Sequence, residues 1–375
     1  MAKVLILGGG FGGVVAAERL AKELGDEHQI TLVSRSREFV FHPALVRLAF
    51  GKCERDDVAF DLRRSMLDRR VNFIEAEVAR VDPQARRVTI AHGEVEGNLP
   101  YDYLIFALGR RLATERVTGF YEHAHHLLTV DKALKFRNAI ARFQEGRVVI
   151  GQCAGARLPV PVYETAFAFS RMLEERGDRS RTHITVVSPD PPGPLIGDSG
   201  ISSVLRNALG AHDIEFRADF PIDRVTPGAA TTSNGHGINF DLMMLLPPFH
   251  GSAAASYLGI TNPEGYINVE TTMRVSGLER MYAIGDCVNF SGQKMGHMAV
   301  RQGEIAALNL VAEINGQAPE ANYMHEARFV IDEGGSDSIF IHQDIWMNEP
   351  GTVRQGRFWS WAKQAQQKYW ETVHS

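Results

Sequence analysis

Val4, Leu5, Ile6 and Leu7 form an unbroken apolar run of the kind found in strands covered on both faces, and the run ends on Gly8. Helix-periodic residues follow over 14–24, and a second apolar strand is predicted over 30–33. Period-two alternation over 71–79 and 87–90 predicts half-exposed strands, and the continuous run over 103–108 predicts another buried one. Residues 132–143 read as an amphipathic helix. The strand–helix–strand pattern then repeats, with a strand at 147–150, a helix over 163–176 and a strand over 184–187. Later come buried strands at 240–246 and 281–284 and a helix over 296–314. Strands alternating with helices predict an α/β fold with two Rossmann-like parallel sheets. The apolar run around 243–249 contains Pro247 and Pro248 and is far too short to cross a bilayer.

The glycines give this pattern its chemistry. Gly8-x-Gly10-x-x-Gly13 sits between the first strand and the first helix. Gly8 permits the tight turn, Gly10 lets a phosphate approach the backbone, and Gly13 lets helix and strand pack closely. The arrangement predicts a dinucleotide pyrophosphate at the positive end of the helix. Ser34, at the end of the second strand, stands where an acidic residue usually holds the ribose, and its hydroxyl can still do so. Arg35 and Arg37 are either phosphate partners or solvated charges. The aromatic–proline loop 39–45, with His42 and Pro43, suits the wall of a flavin ring, although His42 alone reads as structural. Gly109 ends the buried strand at 103–108, where the backbone can pass close to a ligand.

A second glycine turn, Gly151-Gln152-Cys153-Ala154-Gly155-Ala156, has Cys153 where glycine would admit phosphate. Pro159 and Pro161 are expected to interrupt the start of its helix. This half therefore reads as a nucleotide domain with a weakened grip, and Asp190 beyond it reads as a surface turn residue. Gly285-Asp286, delivered by the strand at 281–284, is the second strong signal. Its aspartate can accept hydrogen bonds from a flavin's ribityl chain, and the helix that starts near Gly296 presents its positive end to the ring.

Together these features resemble the two-dinucleotide-binding-domain flavoproteins. Gly155-Ala156 with Pro161-Val162-Tyr163-Glu164, Leu246-Pro247-Pro248, and Lys294-Met295-Gly296-His297-Met298-Ala299-Val300 resemble the branch of sulfide:quinone oxidoreductases and type II NADH dehydrogenases. The resemblance implies FAD between the two glycine motifs and electron transfer to a membrane quinone. It implies a FAD-binding domain over 1–115 and 258–315, a second Rossmann-like domain over 116–257, and a C-terminal interface segment over 316–375. It places the cofactor against Gly8, Gly10, Phe11, Gly12, Gly13, Ser34, Arg35, His42, Pro43, Val78, Ala107, Gly109, Arg110, Gly285, Asp286, Lys294 and Met295. Glu164 falls where the family has a glutamate near quinone and flavin, and Lys294 falls at the lysine opening the flavin-facing helix; both are the candidate catalytic groups. The two flavin-face cysteines of sulfide:quinone oxidoreductases correspond here to Leu158 and Phe329, which supply no thiolate. The NADH-fed alternative meets the altered second glycine turn. A flavin-binding protein without turnover is a further alternative.

Composition sets outer limits. The chain has 375 residues, room for two or three domains, and a formal charge of −5 that gives no reason to expect nucleic acid. Its three cysteines, Cys53, Cys153 and Cys287, show no CxxC or zinc spacing, so neither a metal site nor a disulfide scaffold is expected and a reducing compartment fits. Met1 leads directly into the first strand, leaving no room for a signal peptide; the expectation is a cytoplasmic chain, or one held on the inner face of the cell membrane. Near the C-terminus, Phe358, Trp361, Ala362, Ala365 and Tyr369 recur at helical spacing, with Arg357, Lys363 and Lys368 available to lipid headgroups. This pattern predicts an in-plane membrane helix, or a helix packed on its own body or on a second copy in a homo-oligomer. Phe329, Phe340 and Trp346 either wall an apolar quinone channel nearby or pack in the core.

Overall fold

The computed structural model describes residues 1–191, 200–335, 337–347 and 351–374. Its largest sheet has seven strands, in the spatial order Met281–Ala283, Tyr103–Phe106, Lys3–Leu7, Gln29–Ser34, Asn72–Asp82, Arg87–Gly93 and Asn98–Pro100. The first five are mutually parallel, and each of the last two pairs antiparallel with the strand before it. Val4 to Leu7 lie at the centre of this sheet, almost wholly excluded from solvent, which accounts for their unbroken apolar character.

The chain winds outward from Lys3–Leu7 on one side and returns to Tyr103–Phe106 on the other. The strand order therefore reverses between these two strands, and such a switch point leaves a crevice beyond their carboxyl ends. Leu7 is level with both Val33 and Phe106, so Gly8, Ser34 and Ala107 share that edge.

A second, all-parallel sheet has the order Ile214–Arg217, Thr182–Val187, Gly146–Gln152 and Leu242–Leu246. The two crossings between the sheets, Arg110–Leu112 and Phe249–Gly251, pair antiparallel with each other. A three-stranded antiparallel sheet (Glu326–Asp332, Ser338–Asp344 and Thr352–Gln355) follows, and then the C-terminal helix Arg357–His374.

The prolines of the second glycine turn do not delay its helix. The helix runs from Val160 to Arg176, with Pro159 at the N-cap and Pro161 in the first turn. Neither position owes an amide to the helical ladder, so proline opens the helix there instead of breaking it. The half-exposed guanidinium of Arg37 pairs with Asp61.

Candidate functional site

The first helix, Phe11–Leu24, starts immediately after Gly10, and each glycine of the turn has a steric reason. Gly8 has φ +110°, and a Cβ there would lie 2.2 Å from the carbonyl oxygen of Ala107. A Cβ on Gly13 would lie 1.9 Å from the Gly8 oxygen. Gly10 differs, since nothing lies within 4 Å of the position its Cβ would take, and that open side adjoins the helix N-terminus. Gly303 belongs to the same packing: a Cβ on it would lie 2.6 Å from the oxygen of Gly12. The sequence signal for Gly303 was a glycine inside the strongly helical 296–314 pattern, which often marks a close approach.

Around this turn the predicted residues converge on the carboxyl edge of the large sheet. The buried Ser34 hydroxyl lies against Gly9, and a Cβ on that glycine would be 2.8 Å away. Arg35 beside it is exposed. Val78 sits at a bulge of Asn72–Asp82, three residues beyond Glu75, the register partner of Ser34. His42 and Pro43 begin a single helical turn and are solvent-accessible. The His42 imidazole is pushed down to about 4, first by desolvation and then by Arg110.

Because Ala283 is level with Phe106, Gly109–Arg110 comes opposite Gly285–Asp286. Arg110 pairs with Asp286, both largely buried, and its guanidinium lies 4.0 Å from the Phe249 ring centroid. Burial lowers the Arg110 pKa to about 10, and its Nε has no protein partner. The Gly285 amide donates to Gln302 Oε1 at 2.6 Å, fixing the turn that carries Asp286.

Lys294 is 5% exposed and lines a small pocket with Gly285, Asp286, Met295, Gln302 and His325. Its Nζ donates to the Val288 carbonyl and lies 4.8 Å from the Tyr266 ring centroid. Desolvation, then the positive charge of Arg157, brings its pKa down to about 7. Arg157, which sequence reasoning passed over, donates from its guanidinium to the carbonyls of Gly292 and Phe290, and its own backbone carbonyl accepts from the Lys294 amide at 2.8 Å. In the same pocket wall Gln293 Oε1 has no protein partner.

Leu158 and Phe329 meet in one apolar cluster with Val160, Met295, Met298, Ala327 and Ile345. Cys153 lies instead in the core of the second sheet and Cys287 in that of the first, so they form no pair. Both thiols are pushed upward by burial, Cys287 to about 12. Cys287 donates to the Ile284 carbonyl at 3.1 Å. Glu164 is buried, pairs with Lys363 of the C-terminal helix, and accepts a bond from the Asp332 amide at 2.9 Å. Desolvation raises its carboxyl pKa, with Lys363 opposing.

The C-terminal helix has two distinct faces. Ser360, Lys363, Gln367, Trp370 and His374 point inward, whereas Phe358, Trp361 and Tyr369 are exposed by 61–66%. Phe340 lies outside the site pocket and stacks on Trp359 at 4.0 Å, while Trp346 packs edge-on against Phe290 at 5.1 Å. Among the described residues no helix is long and apolar enough to cross a membrane.

This geometry is that of a known group. A family model described as pyridine nucleotide-disulphide oxidoreductase matches residues 2–303, spanning both parallel sheets and the Gly285–Asp286 turn. The chain belongs to the pyridine nucleotide-disulphide oxidoreductase family. It is similar to a sulfide-quinone reductase of Aquifex aeolicus, 25% identical, with 98% of this chain and 90% of the relative covered. It is also similar to a type II NADH:quinone oxidoreductase of Staphylococcus epidermidis, 24% identical, with 90% and 89% covered. The solved sulfide:quinone oxidoreductase of Aquifex aeolicus superposes with a TM-score of 0.91 at 24% identity, over 99% of this chain and 90% of that one. All three cysteines of this chain are free.

Proposed function

We propose that this family member is an FAD-dependent oxidoreductase that delivers two electrons to a membrane quinone, the acceptor named for the similar proteins. Residues 1–115 and 258–315 form the FAD-binding domain, 116–257 the second Rossmann-like domain, and 316–375 the interface segment. The observation that carries the reading is the open side of Gly10 at a helix N-terminus, on the same sheet edge as Asp286 and the unpartnered Nε of Arg110. The helix-terminal amides and the guanidinium suit the anionic pyrophosphate, and the Asp286 carboxylate can accept from the hydroxyls of the linking chain.

Gly8, Gly10, Phe11, Gly12 and Gly13 would hold the pyrophosphate, with Ser34, Arg35 and Val78 at the adenosine end. Ala107, Gly109, Arg110, Gly285 and Asp286 would hold the linking chain, and His42, Pro43, Lys294 and Met295 the ring. FAD, when bound, supplies a carrier that accepts an electron pair from one partner and releases it to another. Lys294, with a pKa of about 7, takes up or releases a proton near neutrality and is the group placed to balance charge at the ring. Glu164 is committed to Lys363 and the Asp332 amide, so its carboxylate anchors the C-terminal elements beside the site.

On the donor side, Leu158 and Phe329 leave no thiol for the covalent sulfur route. Gln152 Nε2 donates to Ser188 Oγ at 3.2 Å, tying together the ends of two strands where a second dinucleotide would lie, which weighs against NADH. The outward aromatic face of the C-terminal helix rests on a membrane at its cytoplasmic side, without crossing it.

The test is direct. The purified protein is expected to be yellow, to carry about one FAD per chain, and to reduce a water-soluble quinone analogue once a donor from a sulfide, NADH and NADPH panel has bleached it. A colourless protein that takes up no FAD on reconstitution would overturn the reading.

A further inference from the structure

The C-terminal helix reaches the phosphate-facing turn itself. Trp370 is 5% exposed and meets Phe11 edge-on, with ring centroids 4.8 Å apart, while stacking on Phe39 at 5.3 Å. Phe11 stands between Gly10 and Gly12 as the first residue of the first helix, where the backbone amides have no helical acceptor. Its other side closes against the long helix Gly296–Ile314, since a Cβ on Gly296 would lie 3.1 Å from the ring. One turn beyond Trp370, His374 Nδ1 lies 2.7 Å from Glu18 Oε2, lower on the same first helix. The C-terminal helix is further tied to the body by Arg47 to Gln367 at 2.8 Å, by Gln367 to the Asp57 carbonyl at 2.9 Å, and by Lys363 to Glu164.

We infer that Trp370 is a positioning residue of the cofactor site: pressed on Phe11, it holds the turn whose amides face the pyrophosphate, so the last helix sets how tightly FAD is kept. This rests on the FAD reading above. The mechanism is preorganisation. A turn already held in its binding shape loses less freedom when the ligand arrives. The inward helix face carries this role and the outward aromatics do not, although both lie on one element.

The experiment uses full-length wild type, Trp370→Ala, Trp370→Phe and, as a control on the outward face, Trp361→Ala. FAD is titrated into each apoprotein, and melting temperatures are taken with and without saturating FAD. Trp370→Ala is expected to weaken FAD binding by about tenfold, the worth of a well-formed aromatic contact, and to narrow the gap between the two melting temperatures. Trp370→Phe is expected to recover most of the affinity, and Trp361→Ala to match wild type. If Trp370→Ala lowers both melting temperatures equally and leaves FAD affinity unchanged, the ring is mere packing and the inference is overturned. Should that variant not fold, Trp370→Leu, which keeps apolar bulk and removes the ring contact with Phe11, is held to the same two outcomes. Wild-type protein that takes up no FAD would instead overturn the cofactor reading, a result visible before any variant is made.

Discussion

Leu158 and Phe329, far apart in the chain, pack into one apolar cluster beside Met295 and Met298 at the start of the long helix. They are the residues that the family resemblance aligns with two redox cysteines, and the fold brings the two positions together. What it brings together is hydrocarbon and thioether, with no sulfur nucleophile.

Alkylation should therefore leave electron transfer untouched. Cys153 and Cys287 are buried, and burial also raises the half-buried Cys53, so none is a ready thiolate. Quinone reduction with whichever donor proves active is expected to be unchanged after iodoacetamide. Loss of activity in step with labelling would point to a thiol route after all. The Leu158→Cys/Phe329→Cys variant is expected to gain alkylation-sensitive bleaching by sulfide.

Lys294 should leave a pH signature. Its pKa is lowered from 10.5 to about 7, so between those values the unfolded chain holds a proton that the folded one has released. Stability of the apoprotein consequently rises with pH across that window, and the burial penalty is felt in full below it. Lys294→Met is expected to melt above wild type at about pH 6, with the gap closing by about pH 10. If the protonated lysine is the form that serves turnover, kcat falls as pH rises through about 7, and the variant lacks that limb.

The pair of Glu164 and Lys363 should be costly to break from one side. Lys363→Met strands a buried carboxylate and is expected to cost about 3–5 kcal/mol at neutral pH by urea denaturation. Desolvation already raises the Glu164 pKa against the pull of Lys363, and loss of the lysine raises it further. A raised carboxyl pKa means that stability is retained at acid pH and lost as pH climbs through the folded value, so the variant's deficit shrinks on acidification. Adding Glu164→Gln should return most of the loss. A double variant no better than the single would refute the pairing.

The exposed rings should govern membrane attachment. Replacing Phe358, Trp361 or Tyr369 by Ala is expected to reduce sedimentation with anionic vesicles by about tenfold per ring, the scale of one aromatic side chain leaving an apolar phase. Circular dichroism should be unchanged, because these side chains point away from the body. Raising salt should weaken binding if Arg357 and Lys368 meet headgroups. Equal sedimentation of wild type and variants would exclude this face as the contact.

Local spacing carried the parts of the fold that are local. The turn Gly8–Gly13 is set by contacts among near neighbours, so its glycine spacing was readable residue by residue, as was the helix Gly296–Ile314. Pro159 and Pro161 misled only about where a helix begins, because proline is compatible with an N-terminus and not with an interior. The C-terminal helix was legible as an element, and Phe358, Trp361 and Tyr369 lie on its exposed face. Its spacing of Phe358, Trp361, Ala365 and Tyr369 marks an apolar stripe, and a stripe says nothing about what covers it.

By itself, then, the amino-acid order determined two glycine-bearing turns and the alternation of strands and helices, since each is written in adjacent residues or in fixed short spacings. Only the tertiary structure decided that Lys363 meets Glu164, that Arg37 turns to Asp61, and that Trp370 closes on Phe11. Partners for a charge or a ring are chosen by which distant surfaces the packed sheets bring within reach, and periodicity along one segment holds no information about that choice.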